Sequence, residues 1–320
     1  MFLQLIILII GFVVLIKGAD IFVDGASSTA RNFNVSKMLI SLTIVAFGTS
    51  APELAISIKS FTDGNTDMVL GNVIGSNILN ILLILGISSV IYDLKVKDNT
   101  VRKEIPIVVL ISTLLIVLSL DSLFDKNMTN LITRSDGIVL LLFFSIFIYY
   151  LFSIMRRKKE NNEKIEEDPP KYKMTKSIVF TIMGMLAIII GSNLVVNSAT
   201  TIADKLGVSQ RMISLTIVAF GTSLPELVTS VMAAIKKESD IAIGNVVGSN
   251  IFNLGLVLGL PVAIFGGFNV NGFSSIDLIM LIASAVLLYI FCKNDRKITR
   301  SEGIIFLIIF VAYYSYVIIG

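Results

Sequence analysis

Long apolar runs separated by short polar segments recur along the whole chain. Ten of them reach about 18 residues, the length at which an apolar run predicts a transmembrane helix. We therefore predict an all-α integral membrane protein with ten transmembrane helices, at roughly 2–28, 37–59, 67–91, 104–120, 135–155, 175–202, 209–234, 240–266, 273–292 and 301–319. A water-soluble helical protein with ten such segments would need a polar shell, which this sequence does not supply.

Composition supports this interpretation and excludes several other classes of protein. Of the 320 residues, 55% are hydrophobic, which is more than a soluble domain of this length contains. The first run lacks the basic start of a signal peptide and is longer than its apolar core, so it predicts the first span. The single cysteine, Cys292, excludes an internal disulfide framework. The absence of histidine removes the usual ligand of zinc or copper and the usual catalytic base.

Lysine and arginine are unequally distributed between alternate loops, and this bias predicts the orientation. The loops that follow the odd-numbered spans hold 20 of these residues, and the opposite loops hold five. Because cytoplasmic loops carry the excess of basic residues, the first set is predicted to face the cytoplasm. The prediction is a multi-pass protein of the cell membrane with both termini outside.

One polar segment, residues 155–174, is long and highly charged, contains Pro169-Pro170 and shows no apolar periodicity. It predicts a cytoplasmic linker. The linker divides the chain into an N-terminal half, residues 1–154, and a C-terminal half, residues 175–320. Each half contains five predicted spans.

The two halves repeat each other at an offset of 173 residues. "SLTIVAFGTSAPELAIS" at 41–57 returns as "SLTIVAFGTSLPELVTS" at 214–230, and "GNVIGSNILN" at 71–80 returns as "GNVVGSNIFN" at 244–253. Shared hydrophobic composition would not align the polar residues, so the pattern indicates a duplication. Five spans separate the copies, and because five is odd the copies enter the membrane from opposite sides. Such inverted-topology repeats are common in secondary transporters.

Each copy places a glutamate, Glu53 or Glu226, inside a predicted span. A carboxylate at membrane depth costs a few kcal/mol, and it is a functional candidate by default. The repeat helices contain no lysine or arginine at comparable depth that could pair with these glutamates. We therefore predict that both glutamates are functional.

A proline stands directly before each glutamate. Pro52 and Pro225 lack an N–H, so each leaves the carbonyl one turn back, near Gly48 and Gly221, without its helical donor. Such carbonyls are tolerated at membrane depth where they line a cavity or find another partner. The alternative is a kink that serves only helix packing.

The residues around the glutamates supply oxygen atoms. Hydroxyls lie within one turn of each carboxylate, and the next helix of each half carries a polar stripe: Thr49, Ser50, Thr222 and Ser223, then Asn72, Ser76 and Asn80, repeated as Asn245, Ser249 and Asn253. Asn72 and Asn245 equally suit contacts that hold membrane helices together. Hard cations such as Ca²⁺ and Na⁺ prefer an all-oxygen set. The residues therefore predict a secondary transporter of a hard cation, without choosing the ion.

The motifs "GTSAPE" and "GSNILN", repeated as "GTSLPE" and "GSNIFN", resemble the two repeats of the cation/Ca²⁺ exchanger superfamily. The sodium/calcium exchanger branch, of prokaryotic type, is the most similar. The resemblance covers nearly the whole chain and implies exchange of Na⁺ for Ca²⁺ by alternating access at a midplane site. It implies a Ca²⁺ site at Glu53, Glu226, Thr49 and Thr222 with carbonyls near Ala46 and Ala219, flanking Na⁺ sites that include Ser50, Ser223, Ser76 and Ser249, and a central position lined by Asn80 and Asn253.

The resemblance also implies that the first and sixth helices slide against the core to alternate access, and Gly18, Gly25 and Gly191 would suit this close sliding. Relatives of the potassium-dependent branch typically have an aspartate where this chain has Asn253. That departure implies transport without K⁺.

Other functions stay open at this point: an H⁺/Ca²⁺ or other cation antiporter of the same fold, an intramembrane protease and a channel. A serine protease would need a base beside Ser50 or Ser223, and the chain has no histidine. We predict a transporter and not an enzyme, with no cofactor and with Ca²⁺ and Na⁺ as transported substrates. The predicted surroundings are the lipid bilayer, and no nucleic acid is expected as a partner.

Overall fold

The computed structural model describes residues 2–124, 129–160, 169–207, 219–270 and 275–319. Within these ranges the chain is almost entirely helical. In chain order the helices are α1 (Phe2–Asn32), α2 (Lys37–Ile40), α3 (Ala46–Thr49), α4 (Ala51–Thr62), α5 (Thr66–Leu79), α6 (Gly86–Ile91), α7 (Ile105–Ser119), α8 (Asp121–Phe124), α9 (Arg134–Glu160), α10 (Met174–Lys205), α11 (Ala219–Thr222), α12 (Leu224–Ile235), α13 (Ser239–Phe252), α14 (Gly259–Phe265), α15 (Ser275–Asp295) and α16 (Arg300–Ile319). Four strands of two residues each complete the order: β1 (Leu94–Lys95), β2 (Leu131–Ile132), β3 (Phe268–Asn269) and β4 (Lys297–Ile298).

Seven helical rods in the described ranges are long and apolar enough to cross a membrane. They are α1, α9, α10, α15 and α16, together with the rods Thr66–Ile91 and Ser239–Phe265. An eighth is broken, since Lys37–Thr49 and α4 meet at 42°. The prediction of an all-helical membrane protein is confirmed at this level. The two remaining predicted spans, 104–120 and 209–234, fall on shorter helices, α7 with 15 residues and α12 with 12. Residues 209–218 of the predicted span 209–234 lie outside the described residues.

The predicted linker, residues 155–174, is described only in part. Helix α9 continues into it as far as Glu160, and α10 begins at Met174. Residues 161–168 lie outside the described residues.

Two of the long rods change their winding at equivalent positions of the two halves. A π-helical segment, Asn80–Leu85, joins α5 to α6, and Asn253–Leu258 joins α13 to α14. Each segment begins at the last asparagine of its polar stripe. A π-helical turn widens the helix locally and is frequent at functional sites. In both rods the winding therefore changes where the polar stripe ends.

The same two rods form the centre of the molecule. In their most apolar windows, 72% of residues in Thr66–Ile91 and 78% in Ser239–Phe265 are buried within the protein, against 33% in α1 and in α10. Large apolar side chains of α1, such as Phe2 and Ile9, are exposed instead. Helices α1 and α10 thus form a peripheral pair beside a buried core.

Glycines bring the backbones of the peripheral pair into direct contact. A Cβ added to Gly25 would lie 2.5 Å from the backbone N of Thr181, and one added to Gly191 would lie 2.6 Å from that of Leu15. At Gly18 the nearest atoms also belong to α10. The three glycines singled out for sliding therefore face the partner helix of the pair and not the core, so α1 and α10 form one tight unit.

Short sheets connect the halves before and after α7. Strand β1 pairs with β4, and β2 pairs with β3, both antiparallel. Each sheet joins two loops that the alternation of spans predicts on the same side. Several basic residues of the lysine-rich loops are ion-paired at the β1–β4 end: Lys37 with Glu238 at 2.8 Å, Lys171 and Lys236 with Asp24 at 2.6 Å each, and Lys97 with Asp240.

Candidate cation-binding site

A break in the helix places each glutamate. Helix α3 ends at Thr49 and α4 begins at Ala51, which puts Glu53 in the first turn of α4; Glu226 has the same place in α12, after Ser223. Proline is tolerated at this position because the N–H groups of the first helical turn have no intrahelical acceptor, so the missing N–H of proline breaks no hydrogen bond. Both glutamates are 0% exposed. The break in the helix therefore buries each carboxylate in the first turn of a helix, where the backbone N–H groups have no intrahelical acceptor.

Each carboxylate is bound by a serine from the opposite half. Ser50 Oγ donates to Glu226 Oε1 at 3.2 Å, and Ser223 Oγ donates to Glu53 Oε1 at 3.5 Å. The two helix breaks, which are 173 positions apart in sequence, therefore meet at one place. The arrangement joins the two halves through the residues that the repeat duplicates.

The polar stripes of α5 and α13 complete this cluster. Ser76 and Ser223 share a hydrogen bond at 3.3 Å, and Ser249 Oγ donates to Glu226 Oε1 at 3.5 Å. Thr49 bonds Ser249 at 3.3 Å. The predicted hydroxyls Thr49, Ser50, Ser223, Ser76 and Ser249 are all buried. They form a continuous set of oxygen atoms around the two carboxylates.

Several oxygen atoms in this cluster have no protein partner. Glu53 Oε2, Glu226 Oε2 and Asn80 Oδ1 are buried and make no hydrogen bond with the described residues. The Asn253 side chain is also buried, and neither its Oδ1 nor its Nδ2 makes a hydrogen bond with the described residues. No salt bridge to either glutamate occurs within the described ranges. Because a buried charge without a partner is strongly unfavourable, the two carboxylate oxygens fit a bound cation, and the amide oxygens of Asn80 and Asn253 are uncharged acceptors that suit the same ion.

The remaining predicted ligands, Ala46, Ala219 and Thr222, lie on the short helices α3 and α11 that precede the two breaks. The Ala46 carbonyl accepts from Ser50 N at 3.0 Å and from Thr49 Oγ1 at 3.3 Å, so in this conformation it is already engaged. Thr222 is the buried last residue of α11, and Ala219 is the first residue of that short helix. Both residues therefore lie on the break that leads to Glu226.

Asn72 and Asn245 occupy equivalent bracing positions. Asn72 Nδ2 donates to the backbone carbonyl of Glu53 at 3.3 Å, and Asn245 Nδ2 donates to that of Glu226 at 3.3 Å. Each asparagine also donates to a serine one turn beyond the glutamate on the glutamate's helix: Asn72 to Ser57 at 3.2 Å and Asn245 to Ser230 at 2.9 Å. The two amides thus hold the half-helices that carry the glutamates, which agrees with the interpretation of these residues as contacts between helices.

Two asparagines that were not predicted as site residues connect the stripes across the halves. Asn80 Nδ2 donates to Asn250 Oδ1 at 2.9 Å, and Asn250 Nδ2 donates to the carbonyl of Asn77 at 3.4 Å. Their sequence signal is the repeated "GSN", in which the asparagine stands beside the stripe. Spacing within one helix assigns Asn77 and Asn250 to its flank, and only the crossing of α5 with α13 brings them to the centre.

The donor set in this cluster consists of oxygen. The described residues contain no group of three or more histidine, cysteine, aspartate or glutamate side chains that could hold a metal. Two carboxylates with hydroxyl, amide and carbonyl oxygens suit hard cations, whereas softer metals prefer nitrogen or sulfur. The chemistry of these oxygen atoms therefore suits a hard cation such as Ca²⁺ or Na⁺.

Known proteins match both halves of the chain. The sequence pattern of the family described as "Sodium/calcium exchanger protein" matches residues 3–153 and 176–319. The chain belongs to the sodium/calcium exchanger family.

Similar proteins agree with this membership. The sodium/calcium exchanger MaX1 of Methanosarcina acetivorans is 34% identical over 340 residues, covering 96% of both chains. The inner membrane protein YrbG of Escherichia coli is 30% identical over 312 residues, covering 95% of this chain and 94% of its own. Among solved structures, the sodium-calcium exchanger NCX_Mj in 10 mM Na⁺ without Ca²⁺ has a TM-score of 0.83 at 33% identity, covering 98% of both chains. The family and fold are those of membrane transporters.

Proposed function

We propose that the chain is a secondary antiporter that exchanges Na⁺ for Ca²⁺ across the cell membrane by alternating access. The observation that carries this proposal is the pair of buried carboxylates, Glu53 and Glu226, whose Oε2 atoms have no partner among the described residues. Two carboxylates balance one Ca²⁺ or two Na⁺, so the two ions compete for one set of charges. Competition of this kind is the physical basis of exchange.

The proposed ligands are those that the family resemblance implies. Ca²⁺ binds Glu53, Glu226, Thr49 and Thr222 with the carbonyls of Ala46 and Ala219; Na⁺ sites add Ser50, Ser223, Ser76 and Ser249; Asn80 and Asn253 line the central position. The clustering of the described hydroxyls around both carboxylates supports this assignment.

The proposed architecture is ten transmembrane helices in two inverted five-helix halves, residues 1–154 and 175–320, joined by a cytoplasmic linker. The equivalent breaks, π-helical segments and bracing amides of the two halves support the duplication. The basic loops at the β1–β4 end support a cytoplasmic position for that end, with both termini outside. The peripheral pair α1–α10 is the proposed moving part, because its backbone contacts make it one unit beside the core.

The test is uptake of radioactive Ca²⁺ into vesicles that contain the purified protein. An outward Na⁺ gradient is expected to drive uptake, and equal Na⁺ on both sides is expected to abolish it. An outward proton gradient without Na⁺ is the comparison for the H⁺/Ca²⁺ antiporter, and a Ca²⁺ gradient alone is the comparison for a channel. Uptake driven by protons and indifferent to Na⁺ would replace the Na⁺/Ca²⁺ proposal with its alternative.

A further inference from the structure

One face of α10 lies directly against the helix break that leads to Glu226. Ser192 Oγ donates a hydrogen bond to the backbone carbonyl of Gly221 at 3.1 Å. One turn further along α10, Val196 covers the same glycine, since a Cβ added to Gly221 would lie 2.3 Å from Val196 Cγ2. Ser192 is 5% exposed, so this contact is shielded from solvent. A helix of the peripheral pair thus reaches the backbone of the candidate site.

The Gly221 carbonyl needs a partner from outside its own helix. In a regular helix it would accept from the N–H four residues later, but that residue is Pro225, which has none. A buried carbonyl without a donor is unfavourable. Ser192 supplies the missing donor in this conformation. A cation is another kind of group that satisfies a carbonyl oxygen, and Gly221 directly precedes Thr222, one of the proposed Ca²⁺ ligands.

The N-terminal half has no serine at the position equivalent to Ser192. At the repeat offset, Gly221 corresponds to Gly48 and Ser192 corresponds to Ala19, which has no hydroxyl to donate. The atom nearest to a Cβ added to Gly48 is Cε of Met185, an apolar side chain that is also on α10. The duplication therefore explains the glycine and the proline of the C-terminal break, but it does not explain Ser192.

We propose that Ser192 is a positioning residue for cation exchange. Its hydroxyl holds the Gly221 carbonyl while α10 has the position seen here, and movement of the α1–α10 pair breaks this bond and releases the carbonyl to the cation. The inference rests on the proposed function and adds to it a named contact between the moving pair and the site. Because a ligand favours the conformation that binds it better, weakening the Ser192 bond shifts the protein toward the released conformation.

The test compares Ser192→Ala with the unaltered protein. Loss of one buried hydrogen bond is expected to tighten equilibrium Ca²⁺ binding to the purified protein by about fivefold. In vesicles, the Ca²⁺ concentration for half-maximal uptake falls by a similar factor, and the maximal rate does not rise. Ser192→Cys keeps the size of the side chain and a weaker donor, so its effect is smaller in the same direction.

Ser198→Ala is the matched control, because it removes another buried serine hydroxyl from the same helix. Ca²⁺ binding is expected to stay unchanged in this variant. Unchanged or weaker Ca²⁺ binding in Ser192→Ala overturns the inference, as does a loss of maximal rate alone, which is the sign of a purely structural role. If Ser192→Ala does not fold, unchanged binding in Ser192→Cys overturns it. Absence of Na⁺-driven uptake in the unaltered protein would instead refute the proposed function, while the binding comparison still decides the role of Ser192.

Discussion

The two helix breaks have nearly the same sequence, yet their glutamates are hydrogen-bonded differently. Glu226 Oε1 accepts from both Ser50 and Ser249, whereas Glu53 Oε1 accepts only from Ser223 among the described side chains. The bond to Ser50 is also shorter than its counterpart from Ser223, 3.2 Å against 3.5 Å. Identical motifs therefore do not imply identical bonding within one conformation.

The asparagines at the ends of the two stripes differ in the same way. Asn80 donates across the halves to Asn250, while the Asn253 side chain has no partner in the part of the chain that the structure describes. In the proposed inverted architecture, a conformation that opens the site to one side only treats the two copies unequally, so unequal bonding is expected in it. We therefore expect the bonding pattern to depend on the conformation, so that each half takes the other pattern when access reverses in the proposed transport cycle.

The strongest test of this comparison removes one charge from either half. Glu53→Gln and Glu226→Gln keep the side-chain shape but halve the charge that balances a divalent ion, so each is expected to reduce Na⁺-driven Ca²⁺ uptake to background. Both losses should be equally complete, although the two carboxylates are bonded differently. Asp67→Asn, which alters an exposed carboxylate at the start of α5, is the control and should transport normally. Robust uptake by either glutamine variant would contradict the site.

A second test adds one methyl group at equivalent glycines. Gly221→Ala would place Cβ 2.3 Å from the branched side chain of Val196, whereas Gly48→Ala would meet the flexible end of Met185 at 2.2 Å. Overpacking costs about 1–3 kcal/mol where the neighbour cannot move, and less where a flexible side chain gives way. Gly221→Ala should therefore lower the thermal unfolding midpoint of the purified protein more than Gly48→Ala. Equal shifts would show that the two breaks are packed alike.

The candidate site residues could be identified from the sequence because a carboxylate inside an apolar span costs free energy and is therefore rare without a function. The sequence indicated Glu53 and Glu226 and the hydroxyls that the structure brings to them, and their role as ligands stays a prediction. The membrane fold could be predicted because apolar runs of this length are typical of transmembrane helices. The count of ten spans stays a prediction, because α7 is only 15 residues long and part of the seventh predicted span lies outside the described residues.

Contacts that depend on how the halves cross were not predicted. Periodicity places Asn77 and Asn250 on the flank of their own helices, and nothing in a single helix indicates that they meet the other stripe. The hydrophobic pattern does not indicate the π-helical segments either. Ser192 corresponds to Ala19 at the repeat offset, and its bond to Gly221 depends on how α10 packs against the break. Tertiary packing supplies this information.

A third test separates the two stripe asparagines. Asn80→Ala removes a buried bond between the halves and leaves Asn250 Oδ1 without its donor, at a cost of about 1–3 kcal/mol. Asn253→Ala deletes the same atoms from a side chain that makes no such bond with the described residues, so it should lower the thermal unfolding midpoint less. The two truncations are identical, and the difference between the midpoints therefore reports the hydrogen bond. Equal midpoints would show that the hydrogen bond from Asn80 to Asn250 does not contribute to stability.

The smallest expected effect is that of K⁺, whose removal should leave transport unchanged. The position that differs most between the halves in bonding, Asn80 against Asn253, is the same in charge, since an amide offers an oxygen and a donor but never ionises. The site then holds two formal negative charges, enough for Ca²⁺ and not for Ca²⁺ together with K⁺. Na⁺-driven Ca²⁺ uptake is measured with K⁺ replaced by choline, at constant ionic strength and clamped voltage.

Asn253→Asp is the comparison, because a third carboxylate supplies the charge that an additional cation needs and should make uptake respond to K⁺. If the unaltered protein loses most of its activity without K⁺, then neutrality at Asn80 and Asn253 does not decide which cations the two halves hold.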